Sequence, residues 1–239
     1  MRHTLVALTL WALAGPALAQ VPLANSAFLL EEAWRADSAV NQHVLSYGDR
    51  EWIYTWTQEY AAPERSHRFA WSASVGLNAP GSSQPGEISL DYVWQLAGRE
   101  NDRVALAPHL AVIVPLQSRD SGVGAVVMLP MTIRHGRRAA SHWNIRAGWS
   151  SFESGPDELA VAAGFVGLVG DRMAAVIESE MRPLERELVI SPGVRWTVDS
   201  LARLGIAPGV AVPISVSNGG RSAALMFHVM FEHALSPKE

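Results

Sequence analysis

The ionisable residues decide what chemistry the chain can do, and their spacing argues against bond making. No H-E-x-x-H stretch, no P-loop and no G-x-S-x-G elbow is present. Ser141 and His142 are adjacent, but strand neighbours point to opposite faces, so within a strand they cannot act as nucleophile and base. The eight histidines fall at unrelated spacings, and no metal set is expected from them. The sequence thus predicts no catalytic residue, no metal and no cofactor.

What remains is a set of polar residues in segments that alternate with apolar ones: Arg68, Glu87, Asp91, His109, Gln117, Arg134, His142, Asn144, Arg146, Glu178, Glu180, Glu187, Arg195, His228 and Glu232. Charges of both signs on one face can pair across a narrow interior, where a single sign would be prohibitive. Such a set can select. Arg134, Arg146 and Arg195 opposite Glu178, Glu180 and Glu232 would make a transverse field that sorts small polar or amphipathic solutes. The plainer expectation is that the same residues only brace and plug the interior.

The elements that must hold this set are strands. In residues 103–117, RVALAPHLAVIVPLQ, the aliphatic side chains recur at every second position, a period that a helix would scatter around its axis. One face is continuously aliphatic, whereas the other is small or polar. That is the pattern of a membrane barrel wall. The run also exceeds the roughly 5–6 residues usual for soluble strands. The same alternation recurs along the chain, and twelve strands are expected, an even number that brings both termini to one side of the membrane. Trp52, Tyr54 and Trp56 share one face and suit a membrane interface, although an aromatic strip inside a soluble sheet would read the same way. Pro108, Pro115, Pro130, Pro192, Pro208 and Pro213 fall inside these runs, where each removes a ladder donor. Bulges, strand ends or shorter spans must accommodate them.

Composition narrows the class. Residues 1–19 carry Arg2, an apolar core and Ala17-Leu18-Ala19, a secretory signal with an A-x-A cleavage site. Its core is too short to span a bilayer as a helix, and no later stretch is long enough. The absence of cysteine leaves stability to packing and to hydrogen-bonded closure. A net charge of −4 offers no basic patch, and nucleic acid is not an expected partner. The 49% hydrophobic content, with only 18% charged, suits a wall half in lipid and half wet.

Several phrases also resemble an outer-membrane family, labelled for the MetA pathway of phenol degradation and described as transporter-like. NSAFLLEEAW with VNQHV, then WIYTWTQEY and RSHRF, are similar to its opening blocks. GEISLDYVWQL, LPMTIR leading to HWNIRAGW, ISPGVRW, GIAPGVAVPI and FEHAL follow in the family's order. The chain departs from the family at its end: Ala234-Leu235 is followed by Ser236-Pro237-Lys238-Glu239 instead of a terminal aromatic. The resemblance implies an outer-membrane barrel with a transport role and assigns no chemistry to particular residues.

The expectation is therefore an all-β protein, a closed antiparallel transmembrane barrel of about twelve strands. Residues 1–19 are the signal peptide, 20–39 a periplasmic arm or short helix, 40–235 the barrel and 236–239 a tail. Its function would be a passive channel for small solutes, aromatic ones among them, in the bacterial outer membrane. Expected partners are outer-membrane lipid and the barrel-assembly machinery. A non-conducting structural or ligand-binding barrel and a secreted soluble β-sandwich are the alternatives.

Overall fold

A computed structural model describes residues 38–48, 51–62, 66–77, 86–98, 102–116, 122–151, 158–198 and 204–234. The expected signal peptide, almost all of the expected arm, Gln117 and the 236–239 tail lie outside them. The strands are β1 Ser38–Gly48, β2 Glu51–Ala61, β3 His67–Gly76, β4 Glu87–Trp94, β5 Val104–Leu106, β6 His109–Pro115, β7 Gly124–Arg134 and β8 Ala139–Ser150. After them come β9 Glu158–Leu168, β10 Met173–Arg182, β11 Glu187–Trp196, β12 Leu204–Ala211, β13 Ile214–Ser217, β14 Gly220–Ala223 and β15 Leu225–Ala234. Every pairing is antiparallel, and β1 pairs with β15, from Ser38 opposite Ala234 to Tyr47 opposite Leu225. That last ladder closes the sheet into a twelve-strand barrel. The described part of the wall opens at Ser38, on β1.

Fifteen segments make twelve wall strands because prolines interrupt three of them without changing their course. Leu106 stands opposite Met131 and His109 opposite Met128, a single register across the gap between β5 and β6. Inside that gap the Ala107 amide donates to the Pro130 carbonyl at 3.1 Å, and Pro130 has no N–H to return. On the other side Leu96 and Ala97 both donate to the Leu106 carbonyl, at 3.0 and 3.1 Å, a bulge one step from Pro108. Ile214 likewise continues the register that Ala211 leaves, past Pro213. Ala224 donates to the Pro213 carbonyl at 2.9 Å with no return bond, which splits β14 from β15. The single strand expected over 103–117 is thus two segments in one line.

The exposure pattern is that of a soluble protein turned inside out. Leu90 is 59% exposed, Val127 58% and Ile177 54%, whereas His142 is fully buried and Glu178 and Arg195 are 1% exposed. In water this arrangement would lose the hydrophobic term and bury charge for nothing. In a bilayer both faces are satisfied, and closure leaves no sheet edge unpaired in hydrocarbon. A two-layer sandwich would point the aliphatic set inward, so that alternative is excluded. The end of the barrel carrying Ser38 and Ala234 is the terminal rim. The other, with Gly48 and the turn between β10 and β11, is the far rim.

Candidate functional site: the inner wall

The alternate positions of each strand place the polar set on the inner face, and the registers decide which residues meet. Near the terminal rim Arg68 on β3 binds Glu59 on β2, N to O 3.1 Å, with each side chain 11% exposed. His142 on β8 is within 2.9 Å of the Thr132 hydroxyl on β7. Arg195 on β11 meets the His228 ring on β15. At mid-height His109 on β6 reaches Asp91 on β4 at 2.9 Å, and Ser89 donates to the other oxygen of that carboxylate at 2.9 Å. Glu178 and Asn144 are buried on β10 and β8. Removing one member of such a buried pair costs about 3–5 kcal/mol, which ties the wall's stability to its polar lining.

Toward the far rim the charges form a ladder on one wall. Arg146 on β8 lies 3.2 Å from Glu180 on β10. Arg182, at the end of β10, contacts Glu180 at 2.5 Å, Glu187 at 3.0 Å and Glu185 at 3.7 Å. Ser215 on β13 donates to Glu187. Arg146 and Glu180 therefore belong to the same wall and pair there, which replaces the expected field across the lumen between them. Arg134 and Glu87 are half-buried at opposite ends, at the terminal end of β7 and the far end of β4. Glu232 lies in β15 opposite Val40.

Sequence reasoning missed Arg182, Glu59 and a wall of hydroxyls. Arg182 continues the period of Glu178 and Glu180 by one step, so its signal was present. Glu59 shares a face with Thr55 and Thr57, a face overshadowed by the aromatics between them. Thr57, Ser72 and Ser89 are successive cross-strand neighbours on β2, β3 and β4, and Thr55 faces Ser74. These hydroxyls are half-buried. Strand β10 lies six steps from β3 around the twelve-strand wall, so the hydroxyl wall faces the ladder across the lumen.

Ser141 does have a histidine partner, though not His142. His135, in the turn before β8, holds its hydroxyl at 2.8 Å, and the Trp143 indole N–H also reaches it at 3.3 Å. Among the described residues no group of three or more His, Asp or Glu is placed to hold a metal ion.

Solved structures with this architecture include the KdgM porin, at a TM-score of 0.57, with 6% identity over 80% of this chain and 98% of that one. The NanC porin superposes with a TM-score of 0.55 and 8% identity, covering 82% of this chain and 100% of the other. The fold is shared with porins. No family model matches the sequence, and no curated protein matches it. At these identities the likeness concerns the path of the chain, and the lining must be read from this wall's own residues.

Proposed function

We propose that the protein is a bacterial outer-membrane channel through which small polar solutes diffuse, with the terminal rim in the periplasm. The observation that carries this reading is the wall itself: aliphatic outside, closed by hydrogen bonds, with accessible hydroxyls and ion pairs inside its far half. The collinear phrases support membership of the phenol-pathway family. The described inner face bears no Trp, Tyr or Phe. An aromatic solute would find there only the buried imidazoles of His109, His142 and His228, and polar solutes fit the lining better. Nothing in the wall calls for catalysis, and we read the protein as a channel and not an enzyme. Export by a signal peptide cleaved after Ala19, and insertion by the barrel-assembly machinery into outer-membrane lipid, complete the proposal.

One observation favours the non-conducting alternative. Val93, Ala105, Ala107, Ala140, Val166, Ala174 and Val176 form a buried apolar cluster in the terminal half, and Val40, Ala207 and Met230 form another. A collar closed at that level would make the barrel a cup. Planar bilayers separate the two readings: stepwise current and swelling of proteoliposomes in small solutes are expected of the channel. A purified, folded barrel that gives neither is a cup.

A further inference from the structure

The charges of the inner wall are sorted along the barrel axis. In the far half the described wall carboxylates are Glu87, Glu178, Glu180 and Glu187, against the guanidiniums of Arg146 and Arg182, while in the turn above them Glu185 is followed by Arg186. In the terminal half Arg68, Arg134 and Arg195 stand with Glu59 and with Glu232 of β15, and Asp91 lies at mid-height, so the excess of carboxylates is confined to the far half. Arg182 occupies the centre of the acidic end, one guanidinium in contact with three carboxylates. Its side chain is 34% exposed and that of Glu187 19%, so both are wetted by the lumen.

We infer that the far half of the lumen selects small cations over anions, and that Arg182 is the residue that sets how strongly. This inference rests on the channel reading above. A cation entering from the far rim meets a wall with more carboxylates than guanidiniums, the ladder's wetted Glu187 on one side and Glu87 on the other. On the Glu87 side it also meets hydroxyl oxygens of Thr55, Ser72, Ser74 and Ser89, which replace part of its hydration shell. An anion is repelled before it reaches the guanidiniums further in. Inorganic monovalent ions and short alkylammonium ions fit this lining, because neither needs an aromatic platform or a second anchoring charge. Arg182 moderates the effect by neutralising part of the carboxylate charge. Its loss strengthens cation preference, and loss of a carboxylate beside it weakens that preference.

The experiment measures the reversal potential of the full chain in a planar bilayer under a tenfold potassium chloride gradient, for the wild type and for R182Q and E185Q. A unit charge about 5 Å from a permeating ion in water changes its local concentration about fourfold, and less once salt screens it. The wild type is expected to prefer potassium over chloride. R182Q should raise the permeability ratio about two- to fourfold, and E185Q should lower it. Glu185 is exposed in a turn, so E185Q carries the test if R182Q does not assemble. Zero or chloride-directed reversal in the wild type overturns the inference while leaving the channel standing. So does a ratio that R182Q lowers or E185Q raises or leaves unchanged. Folded protein that passes no current at any voltage overturns the channel reading and this inference together.

Discussion

Substitution of the Glu59–Arg68 pair tests whether the polar lining stabilises the barrel or is merely tolerated by it. The two side chains meet at 3.1 Å on neighbouring strands, each 11% exposed, and Gln42 Nε2 donates to Glu59 Oε1 at 3.2 Å. At that separation two unit charges attract by about 5 kcal/mol for an effective dielectric near 20. Each side chain keeps 11% of its surface exposed, so the loss on breaking the pair belongs at the low end of the usual range, about 3 kcal/mol. E59Q and R68M should each cost about that much. The double variant should recover part of the loss, because no charge is then left without its partner, giving a coupling of about 2 kcal/mol. Urea unfolding in lipid vesicles, followed by tryptophan fluorescence, reads these differences; the chain holds nine tryptophans. A coupling under about 0.5 kcal/mol would show that the pair contributes as little as a surface ion pair, and would refute the reasoning.

Two further outcomes follow from the same wall. Ile145 is 56% exposed near the middle of β8, so Ile145→Arg should destabilise the folded barrel by about 2–4 kcal/mol in vesicles. An effect below 1 kcal/mol would mean that this face does not meet hydrocarbon. Gly98, in the connection after β4, has φ +78, and a Cβ there would lie 2.2 Å from the Val104 carbonyl oxygen. Gly98→Ala should cost at least about 1–3 kcal/mol and shift the bulged turn, and wild-type unfolding would contradict that geometry.

Much of this architecture was legible in the sequence because a barrel wall imposes one rule, period two, on every strand. That rule assigned His109, Arg134, Arg146 and Glu180 to one face and Leu110, Val127 and Ile145 to the other. It could not say who meets whom. Arg146 and Glu180 are 34 residues apart and touch because the intervening ladders, from β8 through β9 to β10, set their heights. Height depends on register and strand tilt, which periodicity within a strand does not encode. The axial sorting of charge was hidden for the same reason, and the expectation of a transverse field was drawn without heights. The proline gaps were half legible: missing donors were evident at Pro108 and Pro213, but the unbroken register across them emerges only from the partner strands. The hydroxyl wall went unread because Ser and Thr carry little weight one strand at a time.

The central claim is that adjacent residues of one strand face hydrocarbon and an aqueous interior in turn. The chain lacks cysteine, so single cysteines at Val127 and Met128 on β7, 58% and 8% exposed, give unambiguous probes. With spin labels at each site in vesicles, Val127→Cys should relax faster with lipid-dissolved oxygen, and Met128→Cys should respond to a water-soluble nickel complex if at all. Equal response of both sites to the aqueous reagent, with none to oxygen, would contradict the barrel described.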